Sequence, residues 1–214
     1  MLNENTHDEN GELNFLPEGY ELPSNSNNNG WLNGSDIKSG TTHRVRIMGS
    51  FANPNQVLEC WEGWNHIDEV TKELGGTKRQ PMRMPRTPDG KDKVHAYDEK
   101  GKAKLCWLVT VYHYESKSAK IWSIPQRTIQ DKIMSLIKDK QDWGNPNGYD
   151  LKISREGTLL ETEWNINPAT KSTPTEEMYK TIKEAKIDCT KVFENDGFGG
   201  NPFGALGESD DLPF

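Results

Sequence analysis

The chain has 214 residues, carries a formal charge of -7 and is only 32% hydrophobic, with a mean hydropathy of -0.89. This length allows one domain or at most two, and the low hydrophobic content indicates that part of the chain lies outside any packed core. No apolar run is long enough to cross a bilayer, so the composition predicts no membrane-spanning segment and no membrane partner.

The charges are unevenly distributed along the chain. All 26 Lys and Arg residues lie between Lys38 and Lys191, and 21 of the 33 acidic residues lie in the same span. The body of the chain is therefore slightly basic, whereas both ends are acidic. A basic body is compatible with a nucleic-acid partner despite the negative net charge.

The cysteines indicate a reducing compartment. Cys60, Cys106 and Cys189 are odd in number and form no C-x-x-C pair, which argues against a disulfide framework. The acidic N-terminus has no secretory signal, and we therefore expect a soluble, cytoplasmic protein. No C-x-x-C with a nearby His supplies the usual zinc spacing, so the sequence predicts no metal and no cofactor.

The first predicted region is an acidic, polar arm over residues 1–36, which we expect to be mostly extended or disordered. The following pattern alternates from residue 41 to residue 51. Val45 and Ile47 face one way, and Arg44 and Arg46 face the other. This alternation predicts a half-buried strand with two arginines on its open face, because burying both would be costly.

A second strand is predicted over residues 56–64, followed by a long basic excursion over residues 65–103. The excursion contains a possible short helix over residues 67–74. Its prolines at 81, 85 and 88 predict that the remainder is neither helix nor central strand. Long loops in compact domains are commonly functional, and we expect this one to contact phosphates.

The segment 104–126 predicts two antiparallel strands joined by a polar loop over residues 115–118. Alternate side chains of the first strand lie on opposite faces, so one face can be buried in the core while the other presents aromatic rings to a ligand. The first face holds Leu105, Trp107, Val109 and Val111, and the second holds Thr110, Tyr112 and Tyr114. Core packing remains the alternative for each ring, above all for Trp107 and Trp122.

An amphipathic helix is predicted over residues 127–140, and a further hairpin over residues 149–166 with its turn at 156–157. Strands, hairpin, helix and hairpin follow the order of an OB-fold, a small closed β-barrel with one capping helix. The strand count exceeds five, so extra strands are expected. The mainly β domain spans residues 37–168, and residues 169–192 form a linker and a C-terminal helix.

Residues 193–214 form a Gly-rich tether with an acidic tip. The tip consists of Asp210, Asp211, Leu212, Pro213 and Phe214. A terminal ring beside a free carboxylate can enter an apolar pocket while basic side chains at its rim bind the charges. We favour this protein-interaction role over an ordinary solvated acidic tail.

The tip resembles that of bacterial single-stranded DNA-binding proteins, and the body is similar to the OB-fold single-stranded DNA-binding proteins of tailed bacteriophages. The similar segments, which are distributed over most of the chain apart from its linkers, are Phe15–Tyr20, Arg44–Ile47, Gln80–Met84, Trp107–Tyr114, Ile124–Ile129 and Asp142–Ile153. The resemblance implies sequence-tolerant coating of single-stranded DNA during replication, recombination or repair. It also implies a tail that recruits replication or recombination enzymes, and a bacterial host cell as the location.

Binding of single strands requires a cationic groove and rings on which bases stack. The candidate residues are Arg44, Arg46, Trp61, Trp64, Lys78, Arg79, Arg83, Arg86, Lys104, Tyr112, Tyr114 and Trp122. The sequence defines no oligomeric state and predicts no enzyme. Two alternatives stay open: an RNA-binding or cold-shock-like OB module, and a metal-dependent nuclease with ligands among residues 66–73, where a solvated helix face is the simpler interpretation.

Overall fold

The computed structural model describes residues 30–64, 81–97, 102–158, 161–197 and 200–203. Within these ranges the chain forms eight strands, three α-helices and three short 3-10 turns. The strands are β1 (Trp31–Leu32), β2 (Thr42–Ile47), β3 (Val57–Trp64), β4 (Pro81–Pro85), β5 (Lys104–His113), β6 (Ser118–Ile124), β7 (Tyr149–Glu156) and β8 (Glu163–Lys171). The helices are α1 (Pro88–Tyr97), α2 (Arg127–Lys138) and α3 (Glu176–Ala185), and the 3-10 turns are Pro146–Gly148, Cys189–Phe193 and Asn195–Gly197.

The eight strands form one mixed sheet, which confirms the mainly β class. The main path runs β1-β6-β5-β2-β7-β8, and β3 pairs with both β5 and β4. The pairing of β1 with β6 is parallel and the others are antiparallel. Among the described strands no pairing returns from β8 to β6, so this sheet is open where a closed barrel was expected.

Strand β5 organises the sheet, because three other strands pair with it. Its first half pairs with β3 in a register that includes Glu62 opposite Lys104. Its last residues pair with β2, where Val45 lies opposite His113. The opposite edge of β5 pairs with β6 along most of its length. Consequently β2 and β3 share one edge of β5 and occupy its two ends.

Several predicted elements form near their expected positions. The hairpin of β5 and β6 and the helix α2 follow the alternating and helical patterns of their sequences. On α2, Ile129 and Ile133 are buried, and the Gln130 side-chain amide donates to the carbonyls of Leu105 at 3.0 Å and Ile124 at 2.8 Å. The helix is therefore fixed to the sheet by both apolar packing and hydrogen bonds.

The prolines of the excursion over residues 65–103 were expected to exclude a helix and a central strand, and for the helix this was wrong. Pro81 and Pro85 stand at the two ends of β4, which has a neighbour on one side only. Pro88 is the first residue of α1, a position where the missing N–H group costs nothing. Proline is thus compatible with an edge strand and with a helix start. The predicted helix over residues 67–74 lies outside the described residues.

The C-terminal predictions need similar corrections. Strand β8 continues to Lys171 through Pro168, where a linker was expected, and an edge strand tolerates this proline. Helix α3 begins at a Thr175 cap and ends at Ala185, because Lys186 adopts a left-handed conformation with φ 45°. The helix was expected to continue to residue 191, and Cys189–Phe193 instead forms a 3-10 turn.

Among the described residues the core has two apolar clusters, and β5 contributes to both. The larger cluster contains Trp107, Val109 and Val111 together with residues of β2, β6, β7, β8 and α2. The smaller contains Cys106 and Leu108 and is completed by the C-terminal turn Cys189–Phe193. Successive β5 residues point to opposite faces, so both faces of this strand are covered. The expectation of an open aromatic face on this hairpin is therefore wrong.

Arg46 does not lie on an open face as predicted. Its side chain is 1% exposed and forms an ion pair with Asp150, which is fully buried. The guanidinium also donates to the Ser172 carbonyl at 2.7 Å, to the Ser172 hydroxyl at 2.6 Å and to the Asn147 carbonyl at 3.3 Å. The ion pair and these hydrogen bonds compensate for the desolvation of the buried guanidinium. That desolvation cost was the reason for predicting that Arg46 is exposed.

Arg44 remains half-exposed and forms a second ion pair with Asp150. Its Nε donates to Asp150 at 2.7 Å, and its guanidinium carbon lies 4.4 Å from the centroid of the Tyr114 ring. One buried carboxylate therefore forms ion pairs with both arginines of β2. In addition, the network joins β2 and β7 to the residue that follows β8.

Removal of this carboxylate should strongly destabilise the fold. We expect Asp150→Asn to lower the free energy of unfolding by about 3–5 kcal/mol, because it leaves the Arg46 charge buried without its counter-ion. The matched control is Asp131→Asn in the exposed ion pair with Arg127, where about 0.3–0.5 kcal/mol is expected. Urea unfolding at neutral pH measures both, and similar losses in the two variants would contradict the role of Asp150.

Candidate functional site

The predicted ring-bearing residues are divided between the core and the surface. Trp122 is 1% exposed and Tyr112 is 5% exposed. Trp122 packs in the larger apolar cluster. Burial raises the pKa of Tyr112, and the negative charge of Glu177 on α3 adds to this shift. Neither side chain is placed to stack on a base, which corrects the prediction for both.

Tyr114 lies at the margin of the same hairpin. Its hydroxyl is 4.0 Å from the Met178 sulfur of α3, and its ring meets the Tyr112 ring edge-to-face. Burial and the neighbouring Asp150 carboxylate raise its pKa. Since Arg44 covers one face of the ring, Tyr114 is already occupied by contacts within the protein.

Three further predicted residues lie around β3 and α1. The Trp61 indole donates to the Thr87 carbonyl at 3.0 Å, with the Lys91 ammonium 5.5 Å from its ring centroid. Arg86 is exposed and forms an ion pair with Glu59. Lys104, at the start of β5, is exposed. These residues offer a basic, ring-bearing surface, whereas the predicted Lys78 and Arg79 lie outside the described residues.

A cleft of about 900 Å³ lies at the end of the sheet where β6 ends and β8 begins. Three tryptophans line it, namely Trp31, Trp64 and Trp164. Trp64 is 46% exposed and Trp164 only 9%, so the first presents its ring to solvent and the second forms part of the wall. The cleft thus combines an accessible indole with a fixed one.

Two arginines lie beside these indoles. The Arg83 guanidinium carbon is 4.6 Å from the centroid of the Trp31 ring, and that of Arg155 is 5.9 Å from the Trp164 ring. Arg83 also forms a buried ion pair with Glu62, at 2.8 Å between Nη2 and the carboxylate. Its charge is therefore largely neutralised within the protein, whereas Arg155 has no such carboxylate partner among the described residues.

The wall of the cleft contains two unpaired polar atoms. Within the part of the chain that the structure describes, Gln126 Oε1 and Arg155 Nε are buried and have no hydrogen-bond partner. A buried acceptor or donor without a partner costs about 1–3 kcal/mol. An acceptor and a donor in one cleft are suited to a polar ligand that provides the missing hydrogen bonds.

The residues after α3 cover the smaller apolar cluster and form one border of the cleft. The Asp188 backbone N–H donates to the Pro202 carbonyl at 2.8 Å, and the Phe203 ring meets Trp31 edge-to-face at 6.2 Å. Gly30 has φ 67°, and a Cβ there would lie 2.3 Å from the Phe203 ring. The tether is therefore packed on the body in its described part, residues 195–197 and 200–203. Residues 30–36, which were assigned to the N-terminal arm, are also part of the folded body.

Sequence reasoning missed Trp31, Trp164, Arg155 and Gln126. Trp31 directly follows an asparagine-rich run and was included in the arm. The other three lie on separate elements and meet only when β6, β7 and β8 are assembled. One sequence feature could have identified a site residue, namely the single indole, Trp164, at the start of an otherwise polar strand.

The three cysteines meet in the smaller apolar cluster, although they are far apart in sequence. Cys60 and Cys106 are cross-strand partners in β3 and β5. Burial raises the pKa of Cys106 well above its ordinary value and that of Cys189 to about 12. The thiols of Cys106 and Cys189 are therefore protonated at neutral pH, and all three cysteines are buried core residues.

Three side chains with metal-binding atoms meet at the opposite end of β5. His43, His113 and Glu115 place their ligand atoms within 4.8 Å of one another. The His43 and His113 rings are stacked, with their centroids 5.2 Å apart. Burial lowers the pKa of His113 to about 4, with Lys120 and His43 adding to the shift. This imidazole is therefore neutral at physiological pH.

Comparison with protein families, with curated proteins and with solved structures finds no match to this chain. Among the described helices, none has both the length and the apolar character needed to cross a membrane.

The packing of Phe203 gives a test of the C-terminal segment. We expect Phe203→Ala to increase hydrogen exchange at the Asp188 amide, because the ring fixes the segment that supplies its acceptor, and to destabilise the fold by about 1 kcal/mol. Phe51→Ala is the matched control, since Phe51 also meets an indole edge-to-face, that of Trp107, but lies elsewhere. Equal exchange at Asp188 in both variants would contradict the proposed packing.

Proposed function

We propose that the protein binds single-stranded DNA without sequence preference, and that bases enter the cleft lined by Trp31, Trp64 and Trp164. The observation that carries the proposal is the presence of three indoles with two guanidiniums and two unpaired polar atoms in one open cleft. Every base has a face that can stack, so indoles bind strands of any sequence.

The order of the strands supports an OB-type fold for this function. Taken in chain order, β2, β5, β6, β7 and β8 form five neighbouring strands, and α2 connects β6 to β7. This is the sequence of strands, hairpin, helix and hairpin expected for the small, partly open barrel of an OB-fold. In the proposal, β1, β3 and β4 are additions to that barrel, and they supply Trp31, Trp64 and Arg83 to the cleft.

Each group in the cleft has a distinct role in the proposed complex. Trp64 is the accessible stacking platform, because nearly half of its surface faces solvent. Trp164 forms the fixed wall, and Arg155 is the cation available to a phosphate. Arg83 contributes less charge, because Glu62 already neutralises it. Gln126 Oε1 accepts a hydrogen bond from a base, which adds affinity without defining a sequence.

Exposed cations outside the cleft would guide the phosphate chain. Lys104 and Arg86 lie on the surface near β3 and β4, and Arg86 is partly neutralised by Glu59. Lys78 and Arg79, on the basic excursion outside the described residues, complete the proposed path. The acidic tip Asp210–Phe214, also outside the described residues, would recruit replication or recombination proteins and compete with DNA for the basic surface.

The exposed indole provides the sharpest test of stacking. We expect Trp64→Ala to weaken binding of oligo-dT by about tenfold, since one stacked base contributes roughly 1–3 kcal/mol. Tyr179→Ala is the matched control, because Tyr179 is 57% exposed on α3 and does not line the cleft. Fluorescence titration with oligo-dT, duplex DNA and RNA of the same sequence measures affinity and preference.

Three results of this titration would contradict the proposal. They are no quenching by oligo-dT in dilute buffer, equal binding of duplex DNA, and equal losses in the Trp64 and Tyr179 variants. Tighter binding of RNA than of DNA would favour an RNA-binding module, since contacts to a 2′-hydroxyl distinguish the two.

The tip should act against DNA binding through its charge. We expect deletion of residues 208–214 to tighten oligo-dT binding at low salt or to leave it unchanged, because the deletion removes acidic groups that compete with phosphates. Affinity of the full chain should also fall steeply with salt, with a slope that reports the number of phosphates contacted. Loss of binding on deletion would show that the tip is part of the DNA site.

A further inference from the structure

We propose that His43, His113 and Glu115 form a binding site for a divalent transition metal of the zinc class. The site lies where β2 meets the end of β5 and the turn that leads to β6. It is separate from the cleft, and the inference does not depend on DNA binding.

The backbone register brings the three side chains together. Val45 of β2 pairs with His113 of β5, so His43, two residues before Val45, lies on the same face and diagonal to His113. Glu115 lies two residues beyond the end of β5, and one of its carboxylate oxygens accepts the Arg44 backbone N–H at 2.7 Å. The two strands thus position one ligand each, and the turn positions the third.

The distances suit a metal after a small adjustment. His43 Nδ1 and His113 Nε2 are 2.9 Å apart, and His113 Nε2 is 3.0 Å from Glu115 Oε2. Ligands about 2.0–2.1 Å from zinc in a tetrahedral arrangement lie roughly 3.3 Å from one another. These two pairs would therefore separate by only a few tenths of an ångström, whereas the ligand atoms of His43 and Glu115, which lie within 4.8 Å of each other, would reach about 3.3 Å by rotation of the partly exposed Glu115 side chain. Glu115 is partly exposed, which leaves the fourth position open to water.

A second layer of contacts orients the central imidazole. The Nδ1 of His113 is 2.7 Å from the Ser116 hydroxyl, which in turn is 2.7 Å from the Ser118 hydroxyl. If Nδ1 donates to Ser116, the lone pair of Nε2 faces His43 and Glu115. Metal-binding histidines commonly have their second nitrogen fixed in this way.

The nearby charges are balanced enough for a dication. Glu115 supplies one negative charge, and Asp36 acts on His113 in the same direction. Lys120 acts in the opposite direction and would weaken binding.

The metal itself is the probe. Untagged, chelator-treated full-length protein should bind one equivalent of Co²⁺ with the visible absorption of a four-coordinate site, and Zn²⁺ should displace it. His43→Gln and Glu115→Gln should each weaken binding by on the order of 100-fold, and Ser116→Ala by roughly tenfold, as expected for an outer contact. His95→Gln is the matched control, since His95 is exposed on α1 and outside the cluster.

Two measurements decide the proposal. Calorimetry with Zn²⁺ gives stoichiometry and affinity, and thermal unfolding with and without Zn²⁺ should show full stabilisation in the wild type and in the His95 variant, and little in the His43 and Glu115 variants. Absence of binding by the wild type would mean that the imidazoles form a hydrogen-bonded pair only, and binding that survives both His43→Gln and Glu115→Gln would place the metal elsewhere. Either result overturns the proposal.

Discussion

The ion pair between Arg46 and Asp150 is the interaction on which the arrangement of the sheet depends. Both side chains are buried, and the same guanidinium binds the backbone after β8 and the turn before β7. A buried ion pair gives little more net stability than apolar residues of similar volume, but removing only one of its two charged partners is strongly destabilising. Its value here is geometric, because it fixes β2, β7 and the end of β8 to one another.

This constraint determines where the cleft forms. The β7–β8 hairpin carries Arg155 and Trp164, and its position follows from the pairing of β2 with β7. On the other side, β3 and β4 carry Trp64 and Arg83, and their position follows from the pairing of β3 with β5. The cleft therefore lies between two parts of the sheet that are each held by a different strand, and neither part alone contains a complete set of indoles and cations.

Local patterns predicted the local elements well. Alternation located β2, β3, β5 and β6, and helical spacing located α2, because each pattern reflects which side of its own element is buried. Arg46 could not be placed in this way, since the reason for its burial is a carboxylate 104 residues away. The same limit applies to the cleft and to the histidine pair, whose members come from elements that are adjacent only in the sheet. The helix that begins at Pro88 was not predicted for another reason, because proline disrupts a helix interior but is compatible with the first turn.

The position of β2 and β3 along one edge of β5 has a consequence for measurement. Glu62, in the wall of the cleft, lies opposite Lys104, and the histidine cluster includes His113 at the far end of the same strand. Nine residue steps at about 3.3 Å each separate those ends by roughly 30 Å. A paramagnetic ion bound by the histidines would therefore lie at a defined distance from the tryptophans of the cleft. Distances measured from that ion would locate a ligand bound in the cleft.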